Sequence, residues 1–133
     1  MSNGLTILAS QLDPKETMDR LQTEIEHQGL TVFARIDHAA GAAAAGLTLP
    51  PTELLIFGNA RGGTPLMQED QTIGIDLPLK ALVYRDPAGK VWLAYNEPGW
   101  LAERHGLGPS VATTVSAMTE MLKSVAARAT KSS

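Results

Sequence analysis

The sequence has few of the residue types that carry the most recognisable chemistry. None of its 133 residues is cysteine, which excludes disulfides, thiolate nucleophiles and cysteine-ligated metal sites. Aromatic residues make up only 5% of the chain, and its three histidines include no pair at the helical i, i+4 spacing of metal sites. We therefore expect neither a metal site nor a cofactor.

Charge and hydropathy exclude two further classes of protein. The net charge is −3 at pH 7 and the basic residues are scattered singly, so we expect no nucleic-acid partner. The apolar run Leu5–Ala9 is too short for a signal peptide or a membrane span, which predicts a cytoplasmic protein without a membrane partner. The chain's length and its 44% hydrophobic content predict one domain covering residues 1–133.

Apolar patterns predict five strands, near Leu5–Ala9, Leu30–Asp37, Leu54–Phe57, Lys80–Arg85 and Val91–Asn96. Four consecutive apolar residues at 54–57 predict a central strand that is buried on both faces. Residues 86–89 have turn-forming character, so the last two strands should form an antiparallel hairpin. In the second strand, simple alternation places Thr31, Phe33 and Arg35 on one face.

Capping residues and apolar stripes predict helices between these strands. Asp13 caps a first helix that ends at Gly29, and Asp37 caps an alanine-rich helix that ends at Gly46. Thr64 is expected to cap the next helix, because Pro65 then occupies its first position.

Ser110 is expected to cap a C-terminal amphipathic helix over residues 110–129. Together these elements predict an α+β fold, in which helices cover a twisted mixed or antiparallel sheet of about five strands.

The strongest candidate site is the stretch GNARGGTPLM at residues 58–67, between a buried strand and the next helix. Free backbone N–H groups and the helix dipole attract anions at a helix start, and an arginine can add a charge-assisted contact. We therefore expect a small anionic or polar ligand to contact Gly58, Asn59, Arg61, Gly62, Gly63, Thr64 and Met67. The alternative is a tight glycine turn followed by an ordinary cap, with no ligand.

His38 and His105 are candidate catalytic residues, because histidine can act as a general acid or base near neutral pH. They make an enzyme the first alternative to simple ligand binding. If His38 is functional, its ring should face the same cleft as residues 58–67. The competing interpretations are that Asp37 beside it is only a helix cap and that His105 is a packing residue. The second alternative is a structural or interaction module with no ligand.

Several separated strings carry a family resemblance: FARIDHAAGAAAAGLTLPPTELLIFGN, GTPLM, IDLPLKALVY and VWLAYNEPGWLAERHGL. In their order and spacing they resemble the bacterial and archaeal domain of unknown function 302, over a core of residues 30–107. The resemblance implies a small α+β fold with a twisted sheet, commonly a dimer, and no established activity. Ala60 departs from the pattern, because members often carry proline there, and this difference predicts a looser loop.

A homodimer is expected on two further grounds. The alanine-rich helix buries little apolar area by itself, and its small side chains permit a close, flat contact with a partner. The C-terminal apolar stripe, with Met121 beside it, is wider than one sheet edge needs. We expect a symmetric contact that uses the same patch of both subunits.

Overall fold

The structure, a computed structural model, describes residues 3–132. Its strands are β1 (Leu5–Ala9), β2 (Thr31–Asp37), β3 (Thr52–Gly58), β4 (Leu79–Arg85) and β5 (Val91–Asn96). Its α-helices are α1 (Pro14–His27), α2 (His38–Ala44), α3 (Ala60–Glu69), α4 (Pro98–Arg104) and α5 (Ala112–Ala129). Short 3-10 segments cover Gln71–Ile75 and Pro109–Val111. The predicted α+β fold with a C-terminal helix is confirmed.

The strands form one sheet in the order β1-β5-β4-β3-β2, and every neighbouring pair is antiparallel. Strands β2 to β5 lie side by side in chain order, and β1 pairs with β5, so β1 and β2 are the two edge strands. The predicted hairpin of β4 and β5 is present, and its turn is closed by the Gly89 amide, which donates to the Asp86 carbonyl at 2.9 Å.

The main hydrophobic core lies between one face of the sheet and the two longest helices. Helix α1 contributes Met18, Leu21 and Ile25, all at most 1% exposed. Helix α5 lies against α1 and contributes Leu122, Val125, Ala126 and Ala129 to the same core. The spacing of three and four residues that predicted these stripes therefore brings both helices onto the same face.

The opposite face of the sheet is much less covered. Leu55 and Phe57 are fully buried on the helix side, whereas Leu54 and Ile56, which alternate with them, are only half-buried. The prediction that residues 54–57 are buried on both faces is thus wrong for the single chain. Apolar side chains on this second face form what we call the open face: Leu5, Ile7, Ala34, Ile36, Leu54, Ile56, Leu82, Tyr84, Trp92 and Ala94.

A β-bulge interrupts β2. Val32 pairs with Phe57 and Ala34 pairs with Ile56, so Phe33 is an extra residue without a partner in the ladder. Beyond the bulge Arg35 lies on the helix side, where its guanidinium is 2.8 Å from Asp19 of α1. The predicted simple alternation in this strand is therefore wrong.

The start of α5 also differs from the prediction. Ser110 lies in the 3-10 segment before the helix, and Val111 occupies the cap position without a side-chain hydrogen bond. The Ser110 hydroxyl donates instead to the carboxylate of Glu69, at the end of α3. Ser110 therefore joins two helices and does not cap one.

Candidate functional site

Helix α3 begins five residues earlier than the sequence predicted. Asn59 has an extended backbone, and its Oδ1 accepts a hydrogen bond from the Gly62 amide at 2.7 Å. The Gly63 amide donates to the Asn59 carbonyl at 3.1 Å, which closes the first helical turn. Asn59 is thus the cap, and the prediction of Thr64 is wrong. Ala60 is the first helical residue, a position that suits proline, so the expected loose loop is an ordered helix start.

This shift places Gly62, Gly63 and Thr64 inside the helix, so their amides are no longer the free amides of a helix start. The amides of Gly62 and Gly63 are already hydrogen-bonded within the cap, and Thr64 lies in the body of the helix. Arg61 is exposed and does not line the neighbouring cavity. The amides of Gly62 and Gly63 and the cation of Arg61, which favoured an anionic ligand, therefore do not converge on this cavity.

A cavity of about 420 Å³ lies beside this helix start, between α3, α5 and the adjoining ends of β2, β3 and β4. Six of the seven predicted ligand residues line it: Gly58, Asn59, Gly62, Gly63, Thr64 and Met67. The other lining residues are Leu30, Phe33, Ala60, Leu77, Pro78, Leu79, Thr114, Ala117, Met118 and Met121. The glycine-rich stretch is therefore one wall of a cavity whose other walls come from distant segments.

The lining of the cavity is apolar and carries no charged side chain. Its polar side chains are Asn59, which is engaged in the helix cap, and the hydroxyls of Thr64 and Thr114. Three of the protein's five methionines contribute thioethers. Such a surface suits an uncharged ligand, because burying an unpaired charge is costly.

The cavity lies at the boundary between two hydrophobic clusters. Leu79 belongs to the main core, while Met67 and Met118 pack against a second, smaller cluster. That second cluster consists of Leu66, Ile73, Leu101 and Val111. Leu77 packs against both clusters. The space is thus left where two separately packed groups of side chains meet.

Gly62 has a packing role in this wall. A Cβ atom at this position would lie 3.3 Å from the Met118 methyl and 3.2 Å from the Asn59 Oδ1. At Gly63 the nearest atoms, from Leu77 and Met67, would be at ordinary contact distances of 3.6 and 3.7 Å. The absence of a side chain at Gly62 thus lets α5 approach α3 closely.

His38 lies at the far end of the sheet from this cavity. In the β2–β3 pair Thr31 is opposite Gly58, whereas Asp37 is opposite Glu53. Six residues of strand separate the two ends by roughly 20 Å. Asp37 is a helix cap, since its Oδ1 accepts from the Ala40 amide at 2.9 Å. The expectation that His38 shares a cleft with residues 58–67 is wrong. His38 follows the C-terminal end of β2 and residues 58–67 follow that of β3, and in an antiparallel pair these two ends lie at opposite ends of the strands.

His105 is held in a hydrogen-bonded network and does not line the cavity. Its side chain is 8% exposed; Nε2 lies 2.6 Å from an Asp76 carboxylate oxygen and Nδ1 lies 2.9 Å from the Thr72 hydroxyl. Arg104 donates to both oxygens of Asp76, at 2.9 and 2.8 Å. Both ring nitrogens are therefore occupied, and the histidine connects α4 to the 3-10 segment before β4.

The pKa of Asp76 reflects this network. Partial burial by itself raises the pKa of the carboxyl, but the hydrogen bond from His105 and the positive charge of Arg104 lower it more. The net result is a pKa below the ordinary value, so Asp76 is a carboxylate at neutral pH.

Residues 3–132 contain neither a candidate metal site nor a candidate membrane-spanning helix. No group of three or more His, Asp or Glu side chains in this range is placed to hold a metal ion. No helix in the same range is both long and apolar enough to cross a membrane.

The fold and the site together define a small α+β protein with an apolar, ligand-sized cavity at one edge of its sheet. The chain belongs to the family described as domain of unknown function DUF302, whose sequence pattern matches residues 6–125. This match confirms the resemblance and extends it beyond residues 30–107, to β1, α1 and most of α5.

A solved structure has the same fold. The crystal structure of an uncharacterized conserved DUF302 protein from Bacillus stearothermophilus superimposes with a TM-score of 0.85. The two chains are 19% identical, and the superposition covers 96% of this chain and 99% of the other. At this identity the likeness shows the shared fold.

Curated relatives from Brucella are closer in sequence but longer. The protein named fluoride-specific ion channel FluC 1 from Brucella suis biovar 1 is 50% identical over 118 residues, which is 89% of this chain and 46% of the relative. A protein of the same name from Brucella abortus biovar 1 is also 50% identical, with 44% of its length covered. The chain thus spans less than half the length of these relatives.

Proposed function

We propose that this protein binds a small, uncharged and largely apolar ligand in the cavity between α3 and α5. The observation that carries the proposal is the cavity itself, about 420 Å³ with no charged side chain in its lining. A cavity of this size falls within the range of small-molecule sites, about 300–1,000 Å³.

The chemistry of the lining revises the ligand expected from the sequence. Residues 58–67 stay in the proposed site, but the anionic ligand is replaced by a neutral one. A polar group on the ligand has partners in the hydroxyls of Thr64 and Thr114, whereas a charged group would lack a counter-ion in the lining. Arg61 is outside this proposed site.

A fluorescence titration with the neutral probe N-phenyl-1-naphthylamine tests ligand binding. Ala117 lines the cavity from α5, so Ala117→Phe should fill the space and weaken probe binding at least tenfold. The matched control is Ser116→Phe, at an exposed neighbour on the same helix that does not line the cavity. Saturable binding to the native protein and to the control is expected. No saturable binding, or equal loss in both variants, would reject the proposal.

Among the described residues, no geometry favours the enzyme alternative. His105 has both nitrogens occupied and His38 lies at the other end of β2 from the cavity. Channel activity is not proposed either, because the Brucella relatives bearing that name extend well beyond the matched 118 residues. Cytoplasmic location stays a prediction, to be tested by cell fractionation.

We also propose that two copies associate through the open face, rather than through the α5 stripe that the sequence suggested. The C-terminal half of the α5 stripe, with Leu122, Val125 and Ala129, is already buried in the main core of its own subunit, so it is not available for a partner. The open face spans five strands, roughly 24 Å at the usual strand spacing. Its centre carries half-buried aliphatic residues and its outer strand carries Ile7, which is 48% exposed.

Trp92 supplies a rigid anchor on this face. Its indole Nε1 donates to Asp86 at 2.8 Å, and the Lys90 ammonium lies 4.8 Å from the ring centre. Aromatic anchors of this kind are enriched in protein interfaces. A second copy would also bury Leu54 and Ile56 on their exposed side, which accounts for the uninterrupted apolar run of residues 54–57.

A further inference from the structure

We infer that the ligand of the cavity contains an aromatic ring and that Phe33 is the residue that selects it. This inference rests on the proposed function, because it concerns the chemical class of the ligand bound at the same site. Three observations support it: the placement of Phe33 by the bulge, its exposure, and the thioethers across the cavity.

The bulge in β2 explains why Phe33 reaches the cavity. Its neighbours in sequence, Val32 and Ala34, are both paired with β3, so Phe33 is the extra residue that the ladder leaves out. Bulges on edge strands change the direction of one side chain, and β2 is an edge strand. Here the redirected side chain lines the cavity together with Leu30 and Gly58.

The exposure of Phe33 distinguishes it from a core residue. It is 56% exposed, whereas Leu30 and Val32, which precede it in the chain, are partly buried and pack against the main core. An aromatic side chain left open at the edge of an apolar cavity gains most from a ligand that covers it. Phe33 is thus placed to contact a bound molecule without being needed to hold the fold.

The other walls suit an aromatic partner as well. Met67 on α3 and Met118 and Met121 on α5 all line the cavity. A thioether near an aromatic ring contributes about 0.3–1.5 kcal/mol, and a pair of aromatic rings contributes about 0.5–1.5 kcal/mol beyond its buried area. The cavity therefore offers a ring and three sulfur atoms to a ligand, which an aliphatic molecule of equal size would use less well.

A pair of probes with one carbon skeleton tests this selectivity. 2-Naphthol and decahydro-2-naphthol are both neutral bicyclic alcohols, and only the first is aromatic. Isothermal calorimetry should be run with the native protein, Phe33→Leu and Phe33→Tyr. In Phe33→Leu the preference for 2-naphthol over decahydro-2-naphthol, measured as the ratio of their dissociation constants, should fall by about 2- to 12-fold. This change corresponds to the loss of one aromatic pair. Phe33→Tyr should retain the native ratio.

The outcomes separate this inference from the proposed function. Because the same two probes are compared in every variant, the difference in their hydration cancels from the comparison. Leu47→Ala, at a 67% exposed residue outside the cavity lining, is the control and should keep the native ratio. If neither probe binds the native protein, the proposed function is rejected and this inference with it. If both bind but Phe33→Leu leaves the ratio unchanged, including by weakening both equally, ligand binding stands and the inference is wrong.

Discussion

At the scale of single residues, Asp76 is the group whose charge the fold depends on most visibly. It accepts hydrogen bonds from His105 and Arg104, and so connects α4 to the segment that leads into the cavity wall at Leu77. The pKa of Asp76 is lower in the folded protein than its ordinary value of 3.8. Its ionised form therefore stabilises the folded state above that pH, and the contribution is lost as pH falls through the folded-state pKa.

Asp76→Asn should therefore reduce the pH dependence of stability in acid. At neutral pH the variant should unfold at lower urea concentration than the native protein, because the charge-assisted hydrogen bonds are weakened. As the pH falls below the ordinary carboxyl pKa of 3.8, the difference should shrink, since the native protein loses the same contribution by protonation. Urea titrations at several pH values measure this difference in stability. Glu103→Gln, on the exposed side of α4, is the control. A constant difference across the range would contradict the prediction.

Arg35 ties three elements together at one point. It donates to both carboxylate oxygens of Glu53 on β3, at 2.8 and 3.0 Å, and to Asp19 on α1 at 2.8 Å. Its side chain is only 26% exposed, which strengthens these pairs compared with exposed ones.

Arg35→Met should lower the free energy of unfolding by about 1.5–3 kcal/mol, the usual range for hydrogen bonds to charged groups. Lys15→Met is the matched comparison, because Lys15 also pairs with Asp19 at 2.8 Å but is 82% exposed. For an exposed pair the loss should be about 0.5 kcal/mol or less. Chemical denaturation of both variants checks the prediction, and equal losses would show that burial of Arg35 has no energetic role.

At the scale of elements, the start of α3 decides how the candidate site is built. Asn59→Ala should cost about 0.5–2 kcal/mol of stability, because it removes the side-chain cap. Thr64→Ala should cost less than about 0.5 kcal/mol, since alanine is favourable within a helix. Thermal and urea unfolding distinguish the two. A larger loss of stability for Thr64→Ala than for Asn59→Ala would contradict Asn59 as the cap and would support a helix that starts at Thr64, as the sequence predicted.

The same helix shows how far local patterns predict this fold. The strands, α1 and the β4–β5 hairpin follow from alternation, caps and turn residues that lie within a few positions of one another. At α3 two local signals compete, Asn59 as a cap and the Thr64-Pro65 pair, and the glycines at 62 and 63 favour the wrong one. The helix runs through these glycines because contacts with α5 and Leu77 override their low helix propensity.

The sequence predicted only one wall of the candidate site. The stretch 58–67 stands out because its glycines, cap residues and following proline are unusual together. The rest of the lining comes from residues such as Phe33, Leu77 and Met118, which are far apart in sequence and meet only through tertiary packing. The direction of Phe33 also depends on a bulge, and the alternating sequence of β2 gives no sign of one.

At the scale of the whole molecule, the open face predicts self-association. Ile7→Lys places a charge on the outer strand of this face, where the residue is already 48% exposed and the fold should tolerate it. The native protein should sediment at twice its mass of 14.1 kDa, and Ile7→Lys should move it toward the single-chain mass. Leu47→Lys, at a 67% exposed position outside the sheet, should have no such effect. A native mass near 14.1 kDa in sedimentation equilibrium would rule out the dimer.

The central claim, that the cavity between α3 and α5 takes up a small apolar ligand, is tested most directly at its methionines. Protein with ¹³C-labelled methionine methyl groups should be titrated with 2-naphthol and followed by NMR. The methyl resonances of Met67, Met118 and Met121 should shift together and saturate, because these side chains line the cavity. Met18 is fully buried in the main core, so its methyl resonance should not shift. Absence of saturable shifts at the three cavity methionines, or equal shifts at Met18, would contradict the claim.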